Sequence, residues 1–331
     1  MGCHDVTRAD YDQIRDRFAV LVSSLRDADP AGVGGICLPD VLVCLEPLPR
    51  DAVGPGSLAG FAAGFPRTDL LQMHCYNFVC RFGEGMARQS AYVVCHAYDG
   101  RPATDEMDHF SYVLLFSNLW ARLRDGWLLS EVRMDVYDQD GALSDLYSRD
   151  WQIGERLAVL KPGIRLPRIH GELDSPWRQG LVDAPITPEE EVCQAFVRYD
   201  WGVDHLAFSE CDAALSERFH ANEQASPSDG KREWMSTIKF HRQKSRHWAH
   251  PYRFASVAID GDEARISCDR MAGERFVGTW TSAQVREEHA CAHCDLVLVR
   301  ERGSWRVRDF NYESGLAPVG PSEGPFYGGL A

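Results

Sequence analysis

One plan runs through this chain twice, and the repetition constrains the fold more than any other feature. A helix-patterned segment near residues 7–27 leads through a Gly- and Pro-containing region into apolar runs of strand character: "HCYNFVCRF", "ARQSAYVVCHAY" and "FSYVLLFSNLWARLRDGWLLSEVRMDVY". The order returns as a helix over 188–208, then "YRFASVAIDGDEARISCDRM" and "ACAHCDLVLVRERGSWRVRDFNYESG". Each copy closes with a strand, a tight turn and a second strand, and the turns "RDGW" and "RGSW" place Trp127 and Trp305 alike. The copies are offset by about 180 residues. Helices followed by hairpin-linked strands predict an α+β fold with helices packed on one face of an antiparallel sheet. The expected division is 1–145, a connector 146–186 with a short helix and a Pro/Gly-rich stretch, and 187–331.

The chain has 49 acidic and 35 basic residues and a net charge of −14, which disfavours nucleic acid or an anionic membrane as partner. The basic run "KFHRQKSRH" (239–247) reads as a solvated loop. No apolar run near the N-terminus fits a secretory signal, and none is long enough to cross a bilayer. Eleven cysteines scattered through apolar segments read as reduced, buried thiols, so a cytoplasmic location is expected.

The informative stretch is "EEEVCQAFVRYDWGVDHLAF". On a helical wheel Cys193, Phe196, Val197, Val203 and Ala207 share one side, with Asp200 and Asp204 in its middle and Tyr199 at its edge. A core-facing helix tolerates such carboxylates if its core is a partly wet pocket between helix and curved sheet.

These stretches, with "SRHWAHPYRFASVAIDGDEARISC" and "LVLVRERGSWRVRDF", resemble the SnoaL-like branch of the nuclear transport factor 2-like superfamily, which includes scytalone dehydratase and bile-acid dehydratase. The resemblance covers most of both copies. It implies two cone-shaped domains, each with helices on a curved antiparallel sheet, forming an internal pseudo-dimer packed through the sheets; further homo-oligomerisation stays open. It also implies catalysis by Tyr199 and Asp204 on the helix with His250 at the head of a strand. In the first copy Phe18 and Ser23 replace the helix pair while His74 lies near the His position, which implies a degenerate site there.

An Asp–His pair is a tunable base and a Tyr hydroxyl can polarise a carbonyl or protonate a leaving group. That set suits cofactor-independent dehydration or isomerisation of a small cyclic or aromatic hydroxy-carbonyl compound, an apolar ligand. The alternative is a noncatalytic ligand-binding or assembly module of the same fold, with Asp204 capping its helix. Asp295, His293, Trp201 and Trp248 are the expected substrate-contacting residues, and Trp234, Phe276 and Trp280 are further aromatic candidates. In "HACAHCD" (289–295) strand alternation would align His289, Cys291, His293 and Asp295, either as a polar wall or as a zinc site.

Overall fold

The structure is a computed structural model; the residues it describes are all but 1–5, 47, 49, 66, 102–103, 142–166, 224–227, 229, 245–248, 272–279, 285–287 and 320–331. The helix expected at the start of the connector therefore lies outside the described residues, as do Trp248 and Phe276.

In the first half, helix α1 (Arg8–Arg26) begins at a reciprocal capping box between Thr7 and Asp10 and buries Tyr11, Ile14, Phe18, Leu21, Val22 and Leu25. Strand β1 (Cys37–Leu45), a short β2 (Ala52–Val53) and helix α2 (Pro55–Ala63) follow. Then come the long strands β3 (Leu70–Gly83), β4 (Met86–Gly100), β5 (Glu106–Leu123) and β6 (Gly126–Gly141). A short β7 (Val182–Asp183) pairs with β3. In the second half, helix α3 (Pro188–Asp204) starts at a second capping box, between Thr187 and Glu190, with proline in its first turn. Next are α4 (Phe208–Ala214), β8 (Leu215–Glu223), α5 (Lys231–Lys244), β9 (Tyr252–Asp260), β10 (Glu263–Arg270), β11 (Trp280–Thr281), β12 (His289–Glu301) and β13 (Ser304–Pro318).

The duplicated plan is explicit in the sheets. The first runs β1-β6-β5-β4-β3 and the second β8-β13-β12-β10-β9, flanked in the first by the short strands β2 and β7. In both, the first strand of the unit lies parallel to the last and the rest pair antiparallel. A long helix opens each unit and a second one stands between its first two long strands. Among the described residues no helix is long and apolar enough to cross a membrane, and the ten cysteines among them are all buried as thiols.

The two units pack through unlike surfaces rather than sheet to sheet. The outer face of the first sheet supplies Tyr76, Tyr92, Val94, Val113, Leu115 and Tyr137; against it lie Trp201, Ala207, Ala249, Met271 and Ala290 of the second half and Ile169 of the connector. The first sheet is thus covered on both sides, which explains the unbroken apolar runs of β4 and β5. The second sheet leaves its outer face partly exposed, with the burial of β9 and β10 alternating accordingly. β11 of the second half also pairs with β5.

Gly202 explains the glycine in "YDWGVD". A Cβ there would stand 2.4 Å from the Cys211 backbone nitrogen and 2.9 Å from the Ala207 carbonyl oxygen, so only glycine lets α4 turn back this closely against α3. Both obstacles are backbone and cannot swing aside. Gly202→Ala is expected to destabilise the protein by about 1–3 kcal/mol or more, read as a lower midpoint in urea unfolding. Gly261→Ala serves as the comparison: no heavy atom lies near its Cβ position, so any cost comes from its φ of 59° alone.

Candidate functional site

The second unit encloses a cavity between α3, α5 and the concave face of its sheet, with roughly 700 Å³ of space including its opening to solvent. Helix α5 contributes Trp234, Ile238 and Arg242, spaced four residues apart and so stacked on one face. Tyr199 and Val203 come from α3, Tyr252 from the start of β9, Arg270 from the end of β10, and Phe310 and Tyr312 from one face of β13.

His250 lines this cavity just before β9, and Asp204, fully buried at the end of α3, lies behind it. Asp204 Oδ1 is 2.5 Å from His250 Nδ1, and Oδ2 accepts the His250 backbone N–H at 2.8 Å. One carboxylate thus fixes both the ring and the backbone of the histidine. With Nδ1 protonated toward Asp204, Nε2 is left as the basic nitrogen. Burial lowers the His250 pKa below its usual 6.5, against the pull of Asp204. Burial works to raise the pKa of Asp204, but the His250 contact and Arg242 outweigh it and hold that carboxyl below 3.8. At neutral pH the pair is a carboxylate and a neutral imidazole, the state a general base requires.

Tyr199 reaches the cavity at the edge of α3. Its hydroxyl oxygen accepts from Trp234 Nε1 at 3.0 Å, which directs its own O–H proton elsewhere, and its ring stacks on Phe196 at 5.9 Å. Asp200, one turn before Asp204, is 1% exposed, and among the described residues neither of its carboxyl oxygens has a hydrogen-bond partner. Burial and the neighbouring Asp204 charge push it toward its protonated form.

The first half contributes to this site. Asn77, in a bulge of β3 with φ of 51°, donates from Nδ2 to the His250 carbonyl and accepts the Tyr252 N–H at Oδ1, both at 2.9 Å. It therefore clamps the backbone on either side of residue 251. Asparagine in mid-strand is poorly suited to β structure yet tolerant of positive φ, and that was the available sequence signal for it.

Three expected contacts are placed elsewhere. Asp295 and His293 lie on the outer face of the second sheet, with side chains 65% and 44% exposed. His293 Nδ1 pairs with Asp269 at 2.8 Å. The inward residue between them is Cys294, because its register partner Cys268 faces the core. Trp201 is buried at the junction of the halves, donating from Nε1 to the Gly171 carbonyl at 2.9 Å. Trp280 packs on His109 and His289, also away from the cavity. The alignment of His289, Cys291, His293 and Asp295 fails at a bulge between Ala290 and Ala292, which turns Cys291 into the core beside Cys294. Among the described residues no three His, Cys, Asp or Glu side chains gather as metal ligands.

Other cavity residues escaped the sequence reading. The basic run is helical as far as Lys244, not a solvated loop, and its Arg242 is 3% exposed. The stripe of Trp234, Ile238 and Arg242 was the visible signal. In the first half the place of Tyr199 is filled by Phe18, packed on Phe78 and Phe116 at 6.0 and 5.3 Å. Ser23 Oγ donates to the Val20 carbonyl of its own helix. His74 faces the second half, 2.7 Å from Glu288.

No family model and no curated protein matches the chain. Solved structures similar to it include one named provisionally as an aromatic ring hydroxylase from Novosphingobium aromaticivorans, with 17% identity, TM-score 0.35, and 44% of this chain against 99% of that one. A provisional dehydratase of the NTF2-like family from Streptomyces avermitilis has 16% identity and TM-score 0.33, over 38% of this chain and 95% of its own. A provisional scytalone dehydratase from Novosphingobium aromaticivorans has 14% identity and TM-score 0.34, over 40% and 88%. Each of these three structures is matched over 88% or more of its own length by 38–44% of this chain.

Two outcomes follow for the site. Asn77→Gly, which keeps the backbone angle but removes both clamps, is expected to cost about 1–3 kcal/mol in urea unfolding and to shift the His250 ring signals in a spectrum of ¹⁵N-histidine-labelled protein; unchanged ring signals would show the clamp to be idle. The second concerns acid. His205, with neither ring nitrogen hydrogen-bonded among the described residues, is lowered by burial to about 3, and His109 by burial to about 4. Below pH 6.5 the unfolded chain binds protons that these folded imidazoles refuse, so stability rises with pH across that interval. The melting temperature should fall steadily from pH 6.5 toward pH 4, whereas a flat profile would contradict the burial of these rings.

Proposed function

We propose that the second half is a cofactor-independent dehydratase or isomerase acting on a small cyclic or aromatic hydroxy-carbonyl compound. The single observation that carries this is the contact of buried Asp204 with His250 at the wall of a cavity that Tyr199 also lines. His250 removes a proton next to the substrate carbonyl, Asp204 orients the imidazole and stabilises it when charged, and Tyr199 donates to the carbonyl or to the departing hydroxyl. Loss of water gives the dehydrated product; return of the proton elsewhere gives the shifted double bond. The apolar wall of Trp234, Ile238, Val203 and Phe310 suits a ring-shaped ligand. The proposed limits of the two halves remain 1–145 and 187–331, with 146–186 between them.

Both reactions begin with the same proton abstraction, so one assay covers them. The protein is expected to accelerate exchange of the α-protons of 2-tetralone with deuterated water, followed by NMR. His250→Ala should reduce that acceleration by about 10²–10⁴-fold, and Asp204→Asn should reduce it with the fold retained by circular dichroism. The rate should rise with pH and level off above an inflection below 6.5, since burial lowers the His250 pKa from that value. Saturable tetralone binding with exchange no faster than in buffer would instead assign the cavity to a noncatalytic binding module.

A further inference from the structure

The outer face of the second sheet carries an ordered set of polar side chains that the cavity chemistry does not use. Ser267 and Asp269 are alternate residues of β10, so both project to one side of it. On β12, His293 sits opposite Asp269 and Asp295 opposite Ser267. The imidazole bridges the two β10 side chains: its Nδ1 is 2.8 Å from Asp269 Oδ1 and its Nε2 is 3.2 Å from Ser267 Oγ. The ring is 44% exposed and the Asp269 side chain 16%, so small solutes reach the histidine while its carboxylate partner is sheltered.

The carboxylate settles the tautomer. It can only accept, so Nδ1 carries its proton toward Asp269, and Nε2 is left to accept the Ser267 O–H. A hydroxyl on the free nitrogen of an imidazole whose other nitrogen is held by a carboxylate is the arrangement that activates serine as a nucleophile. Burial works to lower the His293 pKa, but Asp269 and Asp295 outweigh it and raise it above 6.5, the direction of a stronger base. Asp295 Oδ1, 3.5 Å from Nε2, steadies the ring once a proton has arrived there. The charged groups in register on the neighbouring strands are Arg253 of β9, opposite Asp269, and Glu313 of β13, opposite His293.

Strand β9 adds a further feature. Its pairing with β10 shifts between Ser267 and Cys268, which leaves Ala255 as an extra residue, and both Ala255 and Ser256 are exposed. Bulges of this kind recur beside reactive groups because they interrupt a ladder and re-aim its side chains. Ser256, the register partner of Ser267, brings a second hydroxyl to the same face one strand away.

We infer that Ser267, His293 and Asp269 form a separate reactive centre, an acyl-transfer site for small unhindered esters on the outer face of the second sheet. It does not rest on the reading of the cavity. Ser267 Oγ attacks the ester carbonyl carbon as its proton passes to His293 Nε2. The carbonyl electron pair moves onto oxygen, where the Ser256 hydroxyl donates to it. The tetrahedral centre then collapses: the bond to the alkoxide breaks, the alkoxide takes the proton from His293, and the acyl group stays on Ser267. Water attacks that acyl ester with His293 again as base, and the carboxylic acid leaves as Ser267 recovers its proton. An exposed strand face favours short acyl groups with good leaving groups over a ligand of defined shape.

The test uses the full chain at pH 8.5 with 4-nitrophenyl acetate and a fluorophosphonate probe. Wild-type protein is expected to release nitrophenolate about tenfold or more faster than Ser267→Ala. The probe should form a covalent adduct on Ser267, located by fragmentation of the peptide in a mass spectrometer. His293→Gln should abolish this labelling and Asp269→Asn should slow it about tenfold or more, with circular dichroism unchanged. Nitrophenolate release that survives Ser267→Ala, an adduct absent from Ser267, or labelling that persists in His293→Gln overturns the inference. The probe on the wild-type protein decides the matter even if a variant does not fold.

Discussion

A carboxylate with no exposure to solvent is held at the end of α3 because His250 meets it with both a ring nitrogen and a backbone N–H. The rest of the second half can be understood from that contact. Removing a carboxylate from water costs several kcal/mol unless hydrogen bonds and opposite charge replace its hydration, and here the imidazole, the amide and Arg242 do so together. The same contact stops the chain from closing into a filled hydrocarbon core at this point. A charged pair needs polar neighbours, and the side chains grouped beyond it mix hydroxyls, an indole and a second arginine with the hydrocarbon of Val203, Ile238 and Phe310.

Burial gives the pair its chemical character. In water an Asp–His contact raises the histidine pKa, because the carboxylate favours imidazolium. Here desolvation outweighs that pull and leaves the ring neutral while Asp204 stays ionised. The base is then in its active form at neutral pH, and the carboxylate is in position to stabilise the cation once a proton arrives. A more exposed site would have the same residues and a weaker asymmetry between resting and protonated states.

The parts legible in the sequence were those with a period. The recurring helix-patterned segments, the strand runs that follow them and the matching hairpins at Trp127 and Trp305 repeat at an offset of about 180 residues, and from them the doubled α+β plan could be read. Asp204 was legible for the same reason, since a carboxylate amid Phe196, Val197 and Val203 breaks an otherwise apolar stripe. His250 came from the family resemblance. What stayed hidden depended on register and on neighbours distant in the chain. A bulge between Ala290 and Ala292 decides which of Cys291, His293, Cys294 and Asp295 face inward, and bulges leave little trace in composition. Buried Arg242 looked like part of a solvated charge run because a hydrogen-bond partner, the Asp204 carbonyl at the end of α3, lies 38 positions away in the chain. Asn77 acts on residues more than 170 positions away, a distance at which no local pattern operates.

The unlike packing of the halves follows from the same division of roles. The first unit fills its own core with Phe18, Phe78 and Phe116, and then buries the outer face of its sheet as well. A sheet packed on both sides is the stiffest part of such a molecule. Asn77 projects from that sheet to the backbone on either side of Pro251, and Trp201 and His205 at the end of α3 rest against its outer side chains. Both strands of chain that carry the pair, the end of α3 and the approach to β9, are therefore fixed to one rigid surface. A pocket held only by its own helices could let these two segments drift apart by the fraction of an ångström that separates a strong hydrogen bond from a weak one. The half with a filled core thus supplies positional accuracy to the half with a hollow one, and the duplication gives two copies of one topology different physical duties.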